Sequence, residues 1–321
     1  MAPEHSLLER RLVIVTGKGG TGKTSVVAAL ALAAARRGRR VCVIEMGLDE
    51  QVPALFDASG PPAGYAGREI HPGVTALRIE PYAALGEYLG LQLGGRRLVD
   101  MALRNKAFHQ LMDAAPGWRE LITLGKVWHL EQMRDEAGKP RWDLLLVDAP
   151  ATGHGLTFLD VPRVAVAAVR VGPLRRHSGW VEEMIQDTRG TLLLPVALAE
   201  ELPARETAEL VERVRNEVGV AVDRVVVNAV APEPFPADLP DLDTRLGRLA
   251  PDALGPQLPS PAVMAACAGH LRQRRALNLQ HLEAIAAETG LPTVALPLVP
   301  DGVRDLAGLE RLADALVDDA P

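Results

Sequence analysis

One short run of residues carries the strongest chemical signal. In LVIVTGKGGTGKTS, Leu12 to Ser25, the spacing of Gly17, Gly22, Lys23 and Thr24 satisfies G-x-x-x-x-G-K-[ST], a phosphate-binding loop. Gly17, Gly19, Gly20 and Gly22 let backbone N–H groups turn inward on an anion, and a helix starting there adds about +0.5 of a charge. Lys23 supplies a point charge for terminal phosphates, and Thr24 a hydroxyl ligand for Mg²⁺. Gly17, Gly19, Gly20, Thr21, Gly22, Lys23, Thr24 and Ser25 are therefore the expected polyphosphate-binding residues. A glycine-rich turn that only joins strand to helix is the other reading, and the agreement of motif, strand and helix argues against it.

Two further residues belong to this chemistry. The run WDLLLV, Trp142 to Val147, is too apolar for an exposed strand and delivers Asp148 at its C-terminal end, where ligands bind in open α/β sheets. Asp148 is expected to hold the Mg²⁺ water shell together with Thr24; capping of the next helix is its rival role. Lys18 is a second lysine inside the loop. The chain has five Lys against thirty Arg, and two of the five sit here, which argues against an incidental loop lysine.

The elements that position these groups alternate along the chain. Leu12 to Val15 reads as a buried strand, Ser25 to Ala35 as an uncharged helix, and Val41 to Glu45 as a second strand, which implies a right-handed crossover and a parallel sheet. Val74 to Glu80, Trp142 to Val147, Thr191 to Leu198, Asp223 to Val230 and Thr293 to Leu298 bring the count to about seven strands flanked by helices. Pro61 to Gly73 reads as loop. The segments 83–135 and 162–189 read as a short helical insertion in a single domain spanning 1–321, with APATGHG after Asp148 a mobile loop. Met101, Met112, Met133 and Met184 fit either an adaptable client surface or ordinary helix packing. Pro232 to Pro261 holds eight prolines and reads as an irregular excursion; Ala262 to Thr289 reads as a long helix.

Composition bounds the class. A net charge of −6 without a dense Lys/Arg tract argues against nucleic acid as the main partner. Cys42 and Cys267 imply no disulfide framework, and a reducing compartment fits. The apolar runs reach about ten residues, short of a membrane span, and MAPEHSLLERR has no apolar signal segment, so a soluble cytoplasmic protein is expected.

From Leu12 to Leu316 the sequence resembles the deviant phosphate-loop ATPases of the arsenite-pump and tail-anchored-protein-targeting type. GKGGTGKTS, DAPATGH, AEELPARETAELV, VVVNAV and PLVPDGVR carry the resemblance. It implies an α/β phosphate-loop NTPase fold and Mg²⁺-ATP hydrolysis. It also implies a trans-acting role for Lys18 on a dimer partner's phosphates, Asn228 against adenine, and an adenine loop containing Pro300. With one phosphate loop and no internal repeat, a two-site enzyme forms by dimerisation, as a homodimer or as a heterodimer with a homologue.

Four departures limit the transfer. The two cysteines are far apart in sequence, so metalloid capture is not expected. The family's C-x-x-C zinc pair is replaced by Cys267-Ala268-Gly269-His270, which could supply two of four ligands from each subunit or simply be a helix surface. The insertion is short for a groove holding about 20 residues of transmembrane helix. In switch chemistry, EMGLDEQ places Gly47 where the family has a water-orienting aspartate; Glu45 or Asp49 takes that role, or hydrolysis is slow. Asp49 is carried forward with Lys18 as a catalytic candidate. The leading expectation is an ATP-driven dimeric switch acting on a protein client or membrane partner. A catalytically weak subunit of a heterodimer is the alternative, and Lys18 argues against a small-molecule kinase.

Overall fold

The computed structural model describes residues 7–318 apart from 94–98, 100, 102, 236–240 and 256. The first six residues of the chain's start, part of the helical insertion and part of the proline-rich excursion therefore lie outside the described residues.

The sheet has eight strands: β1 (Leu12–Thr16), β2 (Val41–Glu45), β3 (Arg68–His71), β4 (Val74–Arg78), β5 (Leu144–Asp148), β6 (Thr191–Leu198), β7 (Val225–Val230) and β8 (Thr293–Pro297). Their order across the sheet is β3-β4-β2-β5-β1-β6-β7-β8, and all pairs are parallel except β3 with β4. The seven strands expected from the sequence are present. The eighth, β3, lies inside the stretch expected to be loop: it has four residues, one of them buried, so no apolar alternation marks it.

The strands are apolar because both faces are covered. Val13 and Val15, Val41 and Val43, and Leu144 and Leu146 pack into a core with helix α1 (Lys23–Arg36) and helix α11 (Leu306–Asp318). Leu12 and Ile14, Cys42 and Ile44, and Leu145 and Val147 face the opposite core, with Leu124, Val127 and Val181. This strict alternation assigns each strand residue to a layer. In α1, Val26 to Ala34 are all buried, which explains why that helix carries no charge between Lys23 and Arg36.

The intervening helices are α2 (Val52–Leu55), α3 (Pro81–Leu93), α4 (Lys106–Ala114), α5 (Trp118–Gln132), α6 (Thr152–Ala168), α7 (Pro173–Gln186), α8 (Glu201–Arg213), α9 (Leu242–Leu246) and α10 (Pro261–Thr289). Two expectations change. Helix α6 begins at Thr152, within the run expected to be a mobile loop, and it carries Pro162 in its interior. The proline excursion contains α9. Among the described residues, no helix is long and apolar enough to cross a membrane.

Candidate functional site

The phosphate loop connects β1 to α1 at the C-terminal edge of the sheet. Gly17 has φ 149°, and a Cβ there would sit 2.1 Å from the Val196 carbonyl of β6, so only glycine lets the loop leave the sheet at this point. Gly22, with φ 85°, is the residue before α1, and a Cβ on it would sit 2.2 Å from the Asn228 side-chain nitrogen. Around Gly19 and Gly20 there is open space. Thr21 Oγ1 donates to the Lys18 carbonyl at 3.0 Å and pins the loop's curl.

Lys23 lies at the first position of α1 and donates from Nζ to the same Lys18 carbonyl at 3.1 Å. Among the described residues no carboxylate is within ion-pair distance of Lys23. Burial lowers its pKa, opposed by the charge of Asp148. A half-buried ammonium parked on a backbone oxygen suits an incoming polyanion.

At the next position, Thr24 Oγ1 donates to Asp148 Oδ2 at 2.6 Å. The residue after the loop lysine and the residue ending β5 thus meet as the sequence expects, although 124 positions separate them. Burial raises the Asp148 pKa, against the Thr24 hydrogen bond and the Lys23 charge. Hydroxyl and carboxylate are hard oxygen donors, and they fit a small divalent cation shared with a polyphosphate.

On the other flank, Asn228 donates from Nδ2 to the Thr21 carbonyl at 2.9 Å. Its strand is irregular here: Ala229 has φ 57°, in the left-handed region, and the β7–β8 register shifts between Val227 and Val230. Such a bulge re-aims a side chain, and the one it serves is Asn228. Pro300 lies exposed in a turn after β8, closed by Gly302 N–H to the Val299 carbonyl. Ser25 is half-buried in the first turn of α1.

Lys18 leaves the loop toward α8, where its Nζ is 2.7 Å from Glu206 Oε1. Sequence reading missed Glu206: it lies within AEELPARETAELV, but no spacing rule links it to a residue 188 positions away. Asn278 was missed for the same reason. From α10 its Nδ2 donates to the Ala199 carbonyl at 3.0 Å, while its Oδ1 accepts from Ala231 N–H at 2.9 Å, tying together the ends of β6 and β7.

The loop after β2 holds Gly47 and Asp49, both exposed. A Cβ on Gly47 would meet only the Asp49 backbone, at 3.4 Å and beyond, which is ordinary contact. Arg78, at the end of β4, donates to the Leu48 carbonyl at 2.9 Å, and Glu45 Oε1 accepts from Gln51 N–H at 2.6 Å. Burial, resisted by these backbone bonds and assisted by the Asp148 charge, raises the Glu45 pKa. Cys42 is fully buried in β2, with its thiol pushed up to about 12 by desolvation, whereas Cys267 is exposed on α10. Among the described residues no group of three or more His, Cys, Asp or Glu side chains is arranged to hold a metal.

The family profile of the anion-transporting ATPases matches residues 10–176. An ATPase of Mycobacterium tuberculosis, BagA, is 32% identical over 326 residues, covering 95% of this chain and 92% of the relative. The ATPase GET3 of Chaetomium globosum is 26% identical over 353 residues, covering 98% and 93%. The arsenical pump-driving ATPase of Acidiphilium multivorum is 27% identical over 235 residues, covering 68% of this chain and 39% of that protein. With its phosphate loop, its mostly parallel sheet and the near-full-length similarities to BagA and GET3, the chain belongs to the anion-transporting ATPase family.

Proposed function

We propose that this protein is a Mg²⁺-dependent ATPase working in the cytoplasm as a nucleotide-driven dimeric switch, and that its closed form presents its helical layer to a protein client. The observation that carries this reading is the pairing of Thr24 with Asp148 at 2.6 Å, beside a Lys23 ammonium without a carboxylate partner among the described residues. Loop N–H groups and Lys23 bind the phosphates, Thr24 and Asp148 hold the hydrated cation, and Asn228 flanks the base. Bound Mg²⁺ neutralises charge on the phosphates. Lys18 supplies the cation acting across a dimer seam, once released from Glu206.

We assign the whole chain to one domain with the helical insertion 83–135 and 162–189. That layer exposes Leu91, Val164 and Val171 at 68%, 54% and 82%, which supports a surface for an apolar partner. Of the methionines, Met101 is exposed and Met184 buried, so the layer mixes client-facing and packing residues.

A second reading, a catalytically weak half of a heterodimer, rests on Gly47, whose position offers no side chain to orient water. Calorimetry with Lys23→Ala tests the site. Loss of a charge-assisted contact contributing about 1.5–3 kcal/mol should weaken Mg²⁺-ATP binding roughly 10- to 150-fold. Unchanged affinity would end the assignment.

A further inference from the structure

The alternation that places Val41 and Val43 in the α1 layer places Glu45 there too, and in the same way it places Asp148 beyond Leu144 and Leu146. Glu45 and Asp148 are register partners on adjacent parallel strands, which lie about 4.8 Å apart. Two carboxylates therefore share one face of the sheet edge, and one of them, Asp148, meets Thr24.

Glu45 is 2% exposed, and its two oxygens have different surroundings. Oε1 accepts from Gln51 N–H at 2.6 Å and Val52 N–H at 3.1 Å, holding the end of the loop after β2. Oε2 is buried with no hydrogen-bond partner. Its other register neighbour, Arg78, is committed elsewhere, to the Leu48 carbonyl, Glu50 and Glu80. A buried carboxylate oxygen without a donor is costly, and next to a second carboxylate the cost is removed by a proton, by a cation or by a water that a cation orients.

We propose that Glu45 is the second acidic group of the cation site, its Oε2 accepting from a water of the hydrated Mg²⁺ while its Oε1 holds the backbone of Gln51 and Val52. This rests on the Mg²⁺-nucleotide reading above. It makes Glu45 a positioning residue with two ends, one sensing the cation and one fixing the loop that contains Gly47 and Asp49. Asp49 is a weaker candidate for the same role because it is exposed.

The test uses the full chain with a non-hydrolysable β,γ-imido ATP analogue and Mn²⁺ as the probe, its free fraction read by electron paramagnetic resonance. Glu45→Gln should weaken Mn²⁺ binding by about 10-fold or more, as loss of an outer carboxylate partner does. It should also abolish the metal-dependent part of hydrogen-exchange protection at residues 46–52. Nucleotide affinity in EDTA should be unchanged, which also reports folding. Should Glu45→Gln not fold, Glu45→Asp, which keeps the charge but draws the oxygens back by one methylene, should show the same losses. Parent-like Mn²⁺ affinity in the Glu45 variants, with Thr24→Ala weakened, would overturn this inference alone. No Mn²⁺ binding by the parent would overturn the functional reading with it.

Discussion

Replacing Glu206 by glutamine removes the carboxylate that holds Lys18 within its own subunit. The pair is 2.7 Å long, and its side chains are 40% and 38% exposed. At that exposure an ion pair contributes about 0.2–1 kcal/mol. In the proposed switch Lys18 must leave Glu206 before it can reach a partner's phosphates, so this energy opposes closure. Glu206→Gln should therefore shift ATP-dependent dimerisation toward the dimer by about 1.4- to 5-fold for each subunit that carries it. Sedimentation velocity in the presence of Mg²⁺ and the imido analogue reads the shift directly. The gain should shrink near 1 M salt, where screening acts over about 3 Å. Lys18→Ala is the opposite control and should lose about 10³-fold or more of turnover, the lower range for a trans-acting cation. A Glu206→Gln protein that dimerises no better at low salt, or a Lys18→Ala dimer that hydrolyses ATP at the parent rate, would refute the reasoning.

Gly47→Asp should raise single-turnover hydrolysis by about 10-fold, roughly 1.4 kcal/mol of barrier, because the site accepts a Cβ and gains a water-orienting carboxylate. A fast parent, with Asp49→Asn inactive and Gly47→Asp unimproved, would instead give the role to Asp49. Burial raises the carboxyl pKa values of Glu45 and Asp148, so between their ordinary and raised values the native state binds more protons than the unfolded chain. Their contribution to stability is then fully present below the ordinary carboxylate range and falls as pH rises through the raised values. Asp148→Asn should flatten that fall and raise the ligand-free melting temperature at pH 7, by about 1.5 °C if about 1 kcal/mol is relieved. Calorimetric scans from about pH 4 to 8 check it, and a variant melting below the parent at pH 7 would contradict it. Arsenite and antimonite should leave turnover unchanged, since soft metalloids need converging thiolates and the Cys42 thiol is buried with its pKa pushed up to about 12. Stimulation lost in Cys267→Ser would reverse that conclusion.

The parts of the site legible in the sequence are those defined by local spacing. Gly17 to Thr24 form a contiguous motif, and Asp148 ends a strand whose apolar run announces burial on both faces. Their meeting follows once the sheet is parallel. Interactions that depend on tertiary placement left no such mark. Lys18 with Glu206, and Asn278 with Ala199 and Ala231, join residues far apart in sequence on elements whose relative rotation no periodicity encodes. Strand β3 escaped because it pairs only at the sheet edge, in a stretch rich in glycine and proline. The early start of helix α6 escaped because Thr152 to Gly155 are small and polar residues that read as loop, and Pro162 suggests a start rather than an interior position. Glu45 was visible as a carboxylate near Gly47; its buried, half-partnered state was not.

The amide of Asn278 also sets a mechanical ratio. It lies 17 residues from Pro261 in a helix of 29 residues, and at about 1.5 Å per residue the arm from this anchor to the start of α10 is about 26 Å. A rotation of about 10° about the anchor would carry the Pro261 end through about 4.5 Å, while the amide itself moved by less than a hydrogen-bond length. The same amide grips the backbone just beyond β6 and β7, and β7 carries Asn228 on the flank of the phosphate loop. A small shift of that backbone would thus be translated by the length of the arm into a displacement of several ångströms at the Pro261 end.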